Sequence, residues 1–313
     1  MNLKTEGQEG LWQKRGMKVK NSHVKHYWIM LIPAFIWLVL FQIRPMFGII
    51  MAFQDYEPLK GLLHSEFIGL DNFTYLFELS EVRSVLTNTL IIAFGKIVGN
   101  LLVPLIFALL LNELRVKYLV KPIQTICYLP YFLSWVIIGG MMLQIFSYDG
   151  PVNQILGFLG LEPMMFFQNA GLFRKFIIVS DVWKSFGYNA VIYLAALTGI
   201  DPTLYEAAAI DGAGRWKRML YVTLPGIGST IAMLGILSLG GILNAGFDQI
   251  YNLYNPLVYS TADIIDTYTY RIGFQQLNFS MGTTIGLLKS VVSFILITVG
   301  YWLAKKFVGY RVF

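Results

Sequence analysis

The chain reads as an all-α integral membrane protein with six transmembrane helices. Three observations predict it: the composition, the number and length of the apolar runs, and the charge of the loops between them. Of 313 residues, 56% are hydrophobic and 13% charged, and the mean hydropathy is +0.59, too apolar for an ordinary soluble domain. Apolar runs lie near 27–53, 88–111, 123–146, 172–197, 227–247 and 283–307. Each reaches the roughly 20 helical residues that a bilayer core requires.

Taken in order, residues 1–26 form a polar, basic tail with Lys14, Arg15, Lys18, Lys20 and Lys25 just before the first run. The run that follows is too long for a cleavable signal, so the tail is expected to stay cytoplasmic and to orient span one. Arg44 and Pro45 interrupt that span and predict a kink near its outer end, or an end there followed by an interfacial turn. Residues 55–83, rich in acids, and 248–276, with Asp263 and Asp266, are assigned outside. Glu113, Arg115, Lys117 and Lys121 after span two, Arg215, Lys217 and Arg218 after span four, and Lys305, Lys306 and Arg311 at the end are assigned to the cytoplasm. Arg174 and Lys175, at the outer start of span four, go against this pattern without reversing it. Both termini are therefore expected inside, and residues 27–313 form a single membrane domain with no internal repeat or linker.

Polar groups inside the spans are candidates for a transport path, because charge in a bilayer is costly and such residues face a bundle interior or an aqueous cavity. They are Asn88, Lys96 and Asn100 in span two, Gln144 in span three, Asp181, Lys184 and Asn189 in span four, Asn244 in span five and Lys289 in span six. For Lys96 and Lys289 a snorkelling stem or a helix-to-helix hydrogen bond is the competing reading. Span four says most. Asp181 and Lys184 lie three residues apart, with Ser185 and Tyr188 continuing the stripe and Trp183 beside it. Asp181 and Lys184 could pair with each other; carboxylate, ammonium, hydroxyl and phenol on one face also suit a hydroxyl-rich ligand. Asn244 and Asp248 near the outer end of span five, and Gln144, complete the substrate-path candidates. The glycines of span five, Gly235, Gly240, Gly241 and Gly246, read as helix-packing positions.

Between spans four and five lies a polar island, residues 201–226, DPTLYEAAAIDGAGRWKRMLYVTLPG. Asp201 can cap a helix that begins at Pro202; Gly212 and Gly214 break it; a second short helix starts at Arg215; Pro225 marks the return to the membrane. Small Ala207, Ala208 and Ala209 between Glu206 and Asp211 let another protein approach closely, although an amphipathic connector lying on the headgroups has the same pattern. Glu206-Ala207-Ala208, then Asp211-Gly212-Ala213, then Leu224-Pro225 resembles the EAA motif of the permease subunits of bacterial ABC importers. LPYFLSW at 129–135 and the outer loop after span five resemble the oligosaccharide branch of that family, so the likeness covers most of the chain beyond Asn88.

The resemblance implies a type I ABC importer permease in the bacterial cytoplasmic membrane, with Glu206, Ala207, Ala208, Asp211, Gly212 and Gly214 in coupling helices that dock on a separate ATPase. It further implies a homologous second permease, a dimer of ATPase subunits carrying ATP and Mg, an extracytoplasmic solute-binding protein, and an oligosaccharide as cargo. In sugar importers of this kind the span before the motif carries substrate contacts; Asp181 stands where the maltose-type permease has an amide. Lys184 and Lys289 would suit an acidic oligosaccharide containing uronic acids. No cofactor, metal or nucleic acid is expected on this chain. One cysteine, Cys127, and three histidines without ligand spacing exclude an internal disulfide and a cysteine metal cluster, and no basic stripe serves nucleic acid. Gly286-Leu287-Leu288-Lys289-Ser290 fails the phosphate-loop pattern because Leu288 precedes the lysine. The alternatives are an importer of the same architecture for another solute, and an ion-coupled transporter or membrane enzyme acting alone.

Overall fold

A computed structural model describes residues 21–308 of the chain; most of the basic tail and Arg311 lie outside the described residues. Among those described, nearly every element is helical. The exception is a two-stranded antiparallel ribbon, β1 Gln54–Asp55 with β2 Glu66–Phe67, in which Gln54 faces Phe67 and Asp55 faces Glu66.

Span one begins as α1, Asn21–Leu38, and continues without a gap through a π-helical turn, Val39–Ile43, and a 3-10 stretch, Phe47–Phe53. Pro45 has no N–H to return to the preceding turn, and the wider π turn just before it absorbs the mismatch. A short helix α2, Asp71–Glu78, leads into α3, Ser80–Asn112, whose 33 residues extend about 50 Å at the α-helical rise.

Span three is not one helix. α4, Val120–Tyr128, ends in a 3-10 turn, Leu129–Phe132, and the chain turns by 101° before α5, Trp135–Ile145. Pro130 sits in that turn, and the Ser134 hydroxyl caps α5 by accepting from the Ile137 N–H at 3.3 Å. A short helix α6, Pro151–Phe158, lies between this segment and α7, Ala170–Thr198, which is span four. After the island come α10, Gly228–Leu239, an unwound stretch from Gly240 to Gly246, and α11, Phe247–Leu253. The two short helices of the island are α8, Pro202–Ile210, and α9, Arg215–Arg218. α12, Ile265–Tyr270, precedes the final span α13, Phe279–Val308.

Among the described residues, three helices are long and apolar enough to cross a membrane, or five if each bent pair, around Leu133 and around Ile227, counts as one span. α7 is the sixth. It carries Arg174, Lys175, Asp181 and Lys184, and it packs along α3 in the most extensive helix pair among the described residues, with Asp181 facing that helix. Gly95 and Gly99, four residues apart on α3, allow that approach: a Cβ on them would come within 2.5 Å of Ile178 and 2.4 Å of Val182. Two apolar clusters hold the pair. One gathers Ile92, Phe173 and Ile177 with Ile138 and Ile250; the other gathers Leu105, Ala108, Tyr193 and Leu197 with Ile227. Lys96, Asn100, Asp181 and Asn189 form a polar layer between them.

Only part of the glycine set of span five fits the helix-packing expectation. Gly240 and Gly241 belong to the unwound stretch, and Gly246 has φ +94°, a conformation that side chains disfavour. Of the four, Gly235 alone lies inside the helix, against Leu101. Gly240 ends the helix while still in the right-handed region, and the backbone reaches the left-handed region only at Gly246.

Candidate functional site

The island is built as two short helices around a left-handed corner. Asp201 caps α8 by accepting from the Thr203 N–H at 2.9 Å, and that bond holds the Asp201 carboxyl below its ordinary range. At the other end Gly212 has φ +73°; its N–H returns to the Ala209 carbonyl and the Ala213 N–H to the Ala208 carbonyl at 2.9 Å. This is the Schellman closure, and it explains why glycine follows Asp211. Gly214 then caps α9, and the Tyr205 hydroxyl meets the Thr223 hydroxyl at 3.0 Å, pinning α8 to the chain that returns to the membrane. Glu206, Ala207, Asp211, Gly212 and Gly214 are exposed and Ala208 is half-buried. Beside them stand Ile210, 88% exposed, and Trp216, 71% exposed. Sequence reasoning did not single these two out, although large apolar side chains in a polar island are the signal of a docking surface.

The stripe on α7 is divided between two neighbours. Asp181 does not pair with Lys184. It faces α3, where Lys96 Nζ lies 3.3 Å from one carboxylate oxygen and the Asn100 amide donates to the other at 2.9 Å. Asn189 in turn donates to Asn100 at 3.1 Å. Three residues along a helix turn the side chain by about 60°, enough to aim Lys184 at span three instead. There its ammonium donates to the Tyr131 carbonyl at 2.8 Å and lies over the Tyr131 and Trp135 rings. Tyr188 stacks on Tyr131 with centroids 3.9 Å apart. Ser185, next along the helix after Lys184, is half-buried.

Lys96 is buried and also donates to the Ala245 carbonyl, at 2.6 Å, and to the Gln249 amide oxygen. Lys289 pairs with Asp266 at 2.5 Å and donates to the Asn244 amide oxygen at 3.0 Å. Both lysines are thus engaged in interhelical bonds, the competing reading of each. Asn88 is also a fastener: it donates to the Ser260 and Asp263 carbonyls and accepts from Arg174 at 2.6 Å. Arg174 further donates to the Thr261 carbonyl, which accounts for a cation at that end of span four.

Asn244 and Asp248 are exposed on either side of Gly246. Gln144 is exposed near the end of α5 and joins none of these hydrogen bonds among the described residues. Next to Asp248 the structure brings together a row of rings that sequence reasoning overlooked: Phe247 stacked on Tyr251 at 5.2 Å, Tyr251 edge-on to Tyr270 at 5.1 Å, and Tyr270 stacked on Phe274 at 5.6 Å. Two aromatic pairs at i, i+4 were the available sign. A separate concavity of about 560 Å³ between α5 and α7 is lined by Leu133, Met142, Phe146, Phe176 and Trp183 and is apolar except for Lys175 and Ser180.

A helical bundle with broken spans, polar side chains between its helices and an exposed two-helix element between spans is the form of a membrane permease subunit. The family described as "binding-protein-dependent transport system inner membrane component" matches residues 105–309. The polygalacturonan/rhamnogalacturonan transport system permease protein YteP of Bacillus subtilis (strain 168) is 40% identical over 296 residues, covering 94% of this chain and 92% of its own. Among solved structures, a bacterial ABC transporter involved in the import of the acidic polysaccharide alginate aligns with a TM-score of 0.84 at 35% identity, covering 95% of this chain and 99% of that one. A bacterial alginate ABC transporter in complex with an alginate pentasaccharide-bound periplasmic protein aligns at 0.82 and 36%, covering 91% and 96%. The chain belongs to the family of inner membrane components of binding-protein-dependent transport systems. Its fold is that of a type I ABC importer permease, a transport subunit rather than an enzyme, in a family that works with separate ATPase subunits.

Proposed function

We propose that this chain is one of two homologous permease subunits in an importer that carries oligosaccharides, uronate-bearing ones included, across the cytoplasmic membrane by alternating access. The observation that carries the reading is the exposed element α8 to α9, with its EAA-type residues, in a chain similar over nearly its whole length to a polysaccharide permease. Glu206, Ala207, Ala208, Asp211, Gly212 and Gly214 form the surface that docks on a dimer of ATPase subunits, which bind ATP and Mg. A solute-binding protein delivers the sugar from the other side. Both termini are cytoplasmic, and residues 27–313 act as one membrane domain.

The path for the sugar runs past Asn244, Asp248, Ser185 and Tyr188, with Gln144 at its margin, while Asp181 and Lys184 stand behind it. Exposed amide and carboxylate groups can hydrogen-bond sugar hydroxyls, and the Phe247 to Phe274 row can cover C–H faces. The acidic character of the cargo is supported by the relatives and not by free cations: Lys184 and Lys289 already have partners.

The experiment is a pull-down of the tagged protein from its native membrane, wild type beside Glu206→Lys, followed by uptake of oligogalacturonides and of neutral oligosaccharides. An ATPase and a second permease are expected with wild type, and the ATPase is lost from the variant. Wild type without any ATPase would overturn the assignment; uptake of neutral oligomers alone would remove the acidic cargo.

A further inference from the structure

The two breaks, at Leu129–Ser134 in span three and Gly240–Gly246 in span five, raise a common physical problem. A carbonyl released from a helix ladder inside a bilayer has no water to turn to, and leaving it unpaired costs several kcal/mol. At each break a lysine ammonium from another span donates to such a carbonyl: Lys184 to Tyr131 at 2.8 Å, and Lys96 to Ala245 at 2.6 Å. Both lead back to α7. Lys184 is part of it, and Lys96 is held by Asp181 of α7 at 3.3 Å. Gln249, the first turn beyond the second break, accepts from Lys96 and donates to the Ile177 carbonyl and the Ser180 hydroxyl of α7, each at 2.8 Å. The space is fitted to this arrangement: a Cβ on Gly246 would lie 2.6 Å from Lys96 Nζ.

We propose that Lys96 and Lys184 are positioning residues that cap the two breaks and pin both broken spans to α7. The consequence for transport follows from the chain itself. α7 ends at Thr198 and α8 begins at Pro202, so three residues separate the helix that holds both breaks from the helix proposed to dock on the ATPase. A displacement of α8 reaches α7 directly, and through the two ammonium groups it reaches Asn244 on one side and the Tyr131–Tyr188 stack on the other. This last step rests on the importer reading. The caps themselves do not.

Amide hydrogen exchange of the complete chain in lipid nanodiscs tests the caps without any sugar. Lys96→Met alone leaves Asp181 without its cationic partner, so it is made together with Asp181→Asn; Lys184→Met is the second variant. The neutral double variant should exchange about tenfold faster over 240–246 with 129–134 unchanged, and Lys184→Met should do the reverse. Unchanged exchange at both breaks, or a uniform rise along α3 and α7, would overturn the proposal. So would wild-type exchange over 240–246 in the double variant, because the pair would then matter only for neutralising its own charge. ATPase co-purification, measured on the same preparations, reports on the importer assignment separately.

Discussion

Gly212 carries the turn on which the proposed docking element depends, and its replacement separates backbone strain from bulk. Its φ of +73° lies in the left-handed region, and a Cβ built there meets nothing within 4 Å. Gly212→Ala therefore introduces no clash. It introduces the left-handed penalty of an L side chain, about 1–2 kcal/mol. Placed on the Schellman turn alone, that opens the turn about 5–30 times more often. Two measurements read it: amide exchange over 207–214, and ATP hydrolysis by the reconstituted complex stimulated by its binding protein. Exchange should rise within that range, and stimulated hydrolysis should fall by no more than the same factor. Gly212→Asn is the control, because asparagine tolerates the left-handed region better than alanine although it is larger. Asparagine should recover part of the loss. If it is worse than alanine, bulk on the docking face is the cause and the argument from strain fails; if neither variant changes exchange, the turn does not depend on glycine.

Two further outcomes follow from close contacts and from charge. A Cβ on Gly187 would lie 2.2 Å from the Cys127 carbonyl oxygen, which is backbone, whereas one on Gly95 meets the mobile end of Ile178; Gly187→Ala should therefore lower the unfolding midpoint in detergent clearly more than Gly95→Ala, at an overpacking cost of about 1–3 kcal/mol, and equal shifts would contradict it. The Asp201 carboxyl, held below its ordinary range by the Thr203 N–H, strengthens the α8 cap when ionised. That contribution is present above the unfolded pKa of about 4 and is lost as pH falls through the folded value. After correction for intrinsic exchange, protection of the Thr203 amide should fall below about pH 4 in wild type and not in Asp201→Asn, which caps without titrating.

Much of the architecture could be read from residues alone, because apolar length and loop charge are properties of whole segments. The punctuation of 201–226 also transferred: Asp201, Pro202, Gly212 and Gly214 each stand at the cap or corner their chemistry predicts. The breaks were harder. Hydropathy counts glycine and proline within an apolar run without recording that they end a helix, so 123–146 and 227–247 read as continuous. Pro130 and the cluster of Gly240, Gly241 and Gly246 were the available signs. The partners of α7 were harder still: Asp181 and Lys184 are close in sequence, and nothing local reveals that Lys96 and Tyr131 arrive from other spans.

The breaks and the intramembrane charges are two halves of one feature. An ionisable residue in a span is ordinarily taken to mark the path of an ion or substrate. Here the ammonium groups of Lys96 and Lys184 meet backbone carbonyls, and that of Lys289 meets Asn244 in the unwound stretch itself. An unwound turn needs donors that water cannot supply, and a lysine brings a long stem and a strong donor to the place. Carboxylates follow for the same reason, since an uncompensated ammonium in that setting is costly: Asp181 serves Lys96 and Asp266 serves Lys289. A substrate carboxylate therefore gains nothing from either lysine until its pair parts. What remains exposed along the proposed path is Asn244, Asp248, Tyr188 and the rings beside them, a set suited to hydroxyls and C–H faces. Three of the intramembrane ammonium groups thus sit where spans three and five are broken, and two of them carry a carboxylate partner there.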